Sequence, residues 1–206
     1  IFNNAKNQLL INKQNSKSKL PKAVIVDIDE TMLDNSPFEA FLILNDKTFT
    51  YELWNEWVDK GQAKALPGAV DFSLFAEKND IVVIYLSNRS VENLEKTLKN
   101  LQDEGFAFAQ EQYIYLKKEQ SDKTPRRDKV SEKFDVIMLI GDNLRDFDEI
   151  FADRTLNFGF DVVAENKDLF GTKYIILPNP MYGQWEKIYN SDEPKSENMR
   201  KMLIGY

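Results

Sequence analysis

Three apolar runs of strand length organise this chain, and each ends abruptly in polar residues. Val24-Ile25-Val26 runs into Asp27-Ile28-Asp29-Glu30-Thr31, Ile81-Val82-Val83-Ile84-Tyr85-Leu86 into Ser87-Asn88-Arg89, and Val136-Ile137-Met138-Leu139-Ile140 into Gly141-Asp142-Asn143. Near-continuous hydrophobic runs of this kind predict strands covered on both faces, as in parallel sheets. Tyr113–Leu116 and Tyr174–Leu177 predict two further strands. Between the strands the period changes to that of helices. Residues 2 to about 14 put Phe2, Ala5, Leu9 and Leu10 on one side, and a polar linker then leads to Pro21 and the first strand. Tyr51–Val58 reads as a helix ending near Gly61; Ser90 reads as the N-cap of another, with Val91, Leu94, Leu98 and Leu101 in phase and Gly105 as its stop. The stretch Leu33-Asp34-Asn35-Ser36-Pro37 is turn-rich, 144–171 is mixed in pattern, and Ser196–Leu203 predicts a short closing helix. Alternating strands and helices give an α/β fold with a parallel sheet.

In open α/β sheets, ligands bind outside the carboxyl ends of the strands, so the three polar strand ends are expected to converge on one crevice. An isolated carboxylate in a core is prohibitively costly unless it is paired or holds a metal, which assigns Asp27 and Asp29 to chemistry at the first strand's exit. Composition narrows that chemistry. The chain has 206 residues, enough for one substantial core, and contains neither His nor Cys. Ser-His-Asp hydrolysis, thiol nucleophiles, disulfides and His- or Cys-ligated zinc are therefore excluded. Carboxylates, Lys, hydroxyls and hard cations remain. The formal net charge of -7 argues against a nucleic-acid polymer as partner. No apolar run reaches the roughly 20 residues needed to span a bilayer, and no signal peptide opens the chain, which begins at Ile1 and so reads as a trimmed form.

Asp27 suits a nucleophile that attacks a phosphoryl group, and Asp29, two residues beyond, a general acid and then base. Asp27 and Asp142 offer the oxygen ligands that Mg²⁺ takes alongside phosphate oxygens and water. Ser87 is placed to bind a phosphoryl oxygen, and Lys123, in the polar loop Ser121-Asp122-Lys123-Thr124-Pro125, to supply positive charge. A loop Lys is more often a solvated surface residue, a lone Asp-x-Asp more often a turn, and Gly-Asp-Asn alone a structural turn. Their co-occurrence in order carries the argument. Asp146 has three readings: a further metal ligand, a partner orienting Asp142, or an acid favoured at a helix start.

Asp27-Ile28-Asp29-Glu30-Thr31, Ser87-Asn88-Arg89, Lys123 and Gly141-Asp142-Asn143-Leu144-Arg145-Asp146 together resemble the four ordered motifs of the haloacid dehalogenase (HAD) superfamily. Longer stretches, Asp29 to Pro37, Ala65 to Val70 and Leu177 to Trp185, resemble the class C bacterial acid phosphatases, surface lipoproteins that act as 5'-nucleotidases. The resemblance implies a HAD-like Rossmannoid sheet in a single domain over 1–206, with a core at about 22–185, an N-terminal helix and linker in 1–20, and a small helical cap at about 32–66. It implies Asp27 as nucleophile, Asp29 as acid/base, Ser87, Asn88 and Lys123 as substrate binders, and Mg²⁺ held by Asp27, Asp142 and the Asp29 carbonyl. It also implies that Trp54 and Tyr182 line a pocket for the substrate's ring, although aromatics at helical spacing are more often core.

The expected function is Mg-dependent hydrolysis of phosphomonoesters, nucleoside 5'-monophosphates first among them, through an aspartyl-phosphate. The alternatives are a phosphatase or phosphotransferase for other small phosphorylated metabolites, or a non-catalytic surface binding lipoprotein. The expected partner is a small-molecule phosphomonoester, with a homodimer allowed. The resemblance further implies an extracytoplasmic protein at the bacterial surface, anchored through a lipid on a Cys that this chain does not contain.

Overall fold

The structure, a computed structural model, describes residues 1–154 and 157–183. The expected closing helix at Ser196–Leu203 and Trp185 lie outside the described residues. The sheet contains β1 (Lys22–Val26), β4 (Ile81–Ser90), β5 (Ile114–Lys117), β6 (Asp135–Gly141) and β7 (Tyr174–Ile176), in the spatial order β5-β4-β1-β6-β7 with every pairing parallel. β2 (Leu33–Asp34) and β3 (Lys64–Ala65) form a separate antiparallel pair.

Both faces of the sheet are covered, which explains the unbroken apolar runs. Along β1, Val24 and Val26 enter a core with Phe2, Leu9, Phe72 and Leu101; Ala23 and Ile25 enter the opposite one with Val130, Phe147, Phe151 and Tyr174. The first core is closed by α1 (Phe2–Asn15), α4 (Ala69–Lys78) and α5 (Leu94–Asp103), the second by α6 (Thr124–Ser131) and the segment after β6. α1 is integral to the fold: Phe2, Ala5 and Leu9 are buried, and Asn12 donates to the Ile137 and Thr172 carbonyls.

Between β2 and β3 the chain rises as α2 (Ser36–Leu44) and α3 (Tyr51–Lys60), the helical cap. Thr50 caps α3 by accepting from the Leu53 N–H at 3.2 Å, and Gly61 ends it in the left-handed region at φ 58°. The turn-rich reading of 33–37 missed α2, whose first turn carries Pro37, a position where a missing N–H costs nothing. Ser90 does not cap a helix as expected. Its hydroxyl donates to Glu92, the next residues form a 3₁₀ turn, and α5 starts after Asn93. The mixed stretch after β6 resolves into short 3₁₀ turns and α7 (Phe160–Glu165). Among the described residues, no helix is long and apolar enough to cross a membrane.

Candidate active site

Register builds the site. Val26 lies abreast of Tyr85 on β4 and Ile140 on β6, so Asp27 follows one residue past that line and Ser87 and Asp142 two. The Asp27 N–H extends the ladder by donating to the Ile140 carbonyl at 2.9 Å. β1 is the strand at which the chain's order reverses, with β4 and β5 on one side and β6 and β7 on the other, and such a switch point opens a crevice. Lys123 enters as the residue before α6, whose second residue is Pro125.

The sequence-derived site residues Asp27, Lys123, Asp142 and Asp146 converge there. Lys123, a residue only 5% exposed, sets its ammonium between Asp27 and Asp146: it donates to Asp27 and, at 2.7 Å, to Asp146 Oδ1. Lys123 is thus a buried cation, not the solvated loop residue that spacing alone favours. Asp146 Oδ2 accepts from the Asn143 N–H at 2.9 Å, in a capping box that folds the turn after β6. Asp146 thus holds Lys123 with one oxygen and, as an acid at the start of a helical turn, caps the backbone after β6 with the other.

Oxygens of Asp27, Asp142 and Asp146 lie within 4.8 Å of one another. Their charge is not balanced by Lys123. Burial pushes the Asp27 carboxyl well above its ordinary value; Lys123 opposes this, and Asp146, Asp142 and Asp29 add to it. Asp142 rises to about 6 for the same reasons, burial first and Asp146 second. Thr31 and Asn179 donate to its two oxygens at 3.2 and 2.9 Å, which fixes its plane. A desolvated excess of hard oxygen donors fits a divalent cation.

Asp29 faces the cap side and is held by Arg89, Asn35 and Ser87. Arg89, 2% exposed, contacts Asp29 Oδ1 through Nη2 at 2.7 Å and Nε at 3.0 Å. Asn35, fully buried, donates its Nδ2 to the same oxygen at 2.9 Å. The Ser87 hydroxyl donates to Oδ2 at 3.3 Å and accepts from the Arg89 N–H. The other predicted residues stand at the rim. Asn88 donates to the Ser121 carbonyl and accepts from Arg126, whose Nη1 also reaches the Ser87 carbonyl at 2.6 Å. Trp54 packs on Phe38 with ring centroids 5.2 Å apart and has the Arg89 guanidinium 5.8 Å over its face. Tyr182 donates to Glu30, a carboxyl that burial and its neighbours Asp29 and Asp142 push up to about 9. Arg89 was legible as a cation two residues past Ser87 on one strand end. Nothing in the sequence marks Asn35, because its partners lie six residues back and 22 ahead.

Comparison with known proteins places this geometry. The profile of the HAD superfamily, subfamily IIIB (acid phosphatase), matches residues 2–185. The chain belongs to that family. Two solved structures of the class C acid phosphatase from Bacillus anthracis, one with tungstate bound, are 33% identical to it, with TM-scores of 0.91 and 0.92; each match covers 100% of this chain and 88% of that one. More distant are the stem 28 kDa and a stem 31 kDa glycoprotein of Glycine max, each 28% identical, over 136 and 167 residues. Those matches cover 61% and 77% of this chain and 53% and 58% of the glycoproteins, so the acid phosphatase family chain spans little more than half their length.

Proposed function

We propose that the protein hydrolyses phosphomonoesters through an aspartyl-phosphate on Asp27, with Asp29 as acid and then base. The observation that carries this is the pairing of a buried carboxylate and a buried ammonium at a parallel strand end, with a second carboxyl two residues on. An oxyanion at the same fold in the Bacillus anthracis enzyme supports it.

Asp27 would attack phosphorus in line with the ester oxygen, forming the acyl phosphate as the P–O bond to the alcohol breaks. Lys123 stays charged, because Asp146 and Asp27 raise its affinity for the proton despite burial, and so offsets charge on the transferring group. Asp29 gives its proton to the departing alcohol and then takes one from the water that cleaves the acyl phosphate. Asp27, Asp142 and the Asp29 carbonyl would hold Mg²⁺, which supplies charge stabilisation for phosphate oxygens when bound.

For substrate class, the reading extends to nucleoside 5'-monophosphates. Trp54 stands among Phe49 and Tyr51, 52% and 68% exposed, which gives the cap an aromatic rim for a ring to stack on, while Tyr182 would bound the other side. An exported, lipid-anchored protein remains the expected setting, by family resemblance. Phosphate release from nucleotide, sugar and alkyl monophosphates, with Mg²⁺ and with chelator, tests the whole reading. Release that needs the cation and favours nucleotides is expected. Absence of release across the panel would overturn hydrolysis, and release unaffected by chelator would overturn the cation's role.

A further inference from the structure

Resting on the phosphatase reading, we propose that Asn35 and Trp57 of the cap are positioning residues that hold Asp29 for proton donation, so that the seating of α3 sets the efficiency of leaving-group departure. Asn35 occupies the N-cap position of α2, where an Asn side chain ordinarily satisfies the helix's own N–H groups. Its side chain makes no such bond. Instead its Oδ1 accepts from the Trp57 indole N–H at 2.8 Å and its Nδ2 donates to Asp29 Oδ1 at 2.9 Å. An indole N–H can only donate, so the amide has one orientation and must present its own donor to Asp29.

The consequence is an asymmetric carboxyl. Oδ1 accepts from Asn35 and from two nitrogens of Arg89, whereas Oδ2 has the Ser87 hydroxyl at 3.3 Å and Arg89 Nε at 3.2 Å. A hydroxyl can turn to accept; an amide NH₂ and a guanidinium cannot. Oδ2, beside the one partner that can turn, is therefore the oxygen left for proton transfer, and Asn35 helps to commit Oδ1. Both kinds of donor on Oδ1 are backed by an indole of α3: Trp57 holds Asn35, and Trp54 lies under Arg89. Residues three apart share a helix face, so one helix seats both. Asn93 ties the same helix to the core by donating to Asn55 at 3.0 Å.

The test compares kcat/KM for an alkyl phosphate, whose leaving group must be protonated, with that for p-nitrophenyl phosphate, whose leaving group need not be. This constant ends at alcohol release and excludes the later hydrolysis of the acyl phosphate. Trp57→Phe keeps an aromatic ring, though a smaller one, and removes the indole N–H. A general acid contributes about 10²–10⁴-fold, and loosening its support should cost the alkyl ester about tenfold while p-nitrophenyl phosphate changes less than about twofold. Asn35→Ser should do the same. Both substrates are measured on one preparation, so the ratio is independent of how much protein folds. In an Asp29→Asn background, Trp57→Phe should have no further effect on the ratio, since its route runs through Asp29. An unchanged ratio in both variants, or an effect that persists without Asp29, overturns the proposal. A wild-type chain inactive on both esters overturns the phosphatase reading with it.

Discussion

Lys123 bridges Asp27 and Asp146 where water is excluded, so its removal strands two carboxylates without a countercharge. Breaking a buried pair from one side is costly, and Lys123→Met should destabilise the protein by about 3 kcal/mol in chelator, measured by urea unfolding. Asp27→Asn should behave in the opposite way. The native state already disfavours the charged form of Asp27, so the amide removes a destabilising charge while abolishing the nucleophile. Phosphate release should vanish, with a melting temperature in chelator at or above that of the wild type. A clear loss of stability in Asp27→Asn would show that its bond to Lys123 outweighs its burial. At this scale the sequence exposed the residues whose type is anomalous for their place: acids ending a strand, a hydroxyl ending another. It hid Asn35, whose type is ordinary in a turn and whose role exists only through Trp57.

The elements were legible in proportion to how far local periodicity decides them. β1, β4 and β6 announce themselves because both their faces are apolar, and α1 because one face is. α2 hides because its exposed face carries Phe41, Ile43 and Leu44, which blurs the amphipathic pattern. The segment after β6 hides because it packs as short turns, which have no period to read. Gly141 shows the limit of turn signals. It reads as a turn residue, yet it closes β6 and is required by contact: a Cβ there would lie 2.3 Å from Asp146 Oδ2 and 2.5 Å from Asp146 Cβ. Asp146 cannot retreat without releasing Lys123 and the Asn143 N–H. Gly141→Ala should therefore cost about 1–3 kcal/mol and lower activity through Lys123, checked by unfolding and phosphate release together. Wild-type values in both would mean that the turn after β6 yields freely.

Over the whole molecule the site concentrates negative charge within a chain whose formal net charge is already -7. The consequence is a stability that depends on pH and on a cation. A carboxyl held above its ordinary value keeps a proton in the folded state at pH values where the unfolded chain has released it, so folding weakens as pH rises. For Asp142 the window runs from its ordinary 3.8 to about 6, and for Glu30 from 4.5 to about 9. Asp122, Asp135 and Glu104, held below their ordinary values, contribute in the opposite direction, but only at more acidic pH. Between pH about 5 and about 8, then, the metal-free protein should melt at progressively lower temperature, and excess Mg²⁺ should flatten that slope by taking up the charge of the Asp27–Asp142 pair. Asp142→Asn should flatten the acidic half of the slope in chelator and abolish the response to Mg²⁺. A metal-free melting temperature that rises across this range, or one indifferent to Mg²⁺ at its upper end, would mean that these acids are neutralised by something other than a cation.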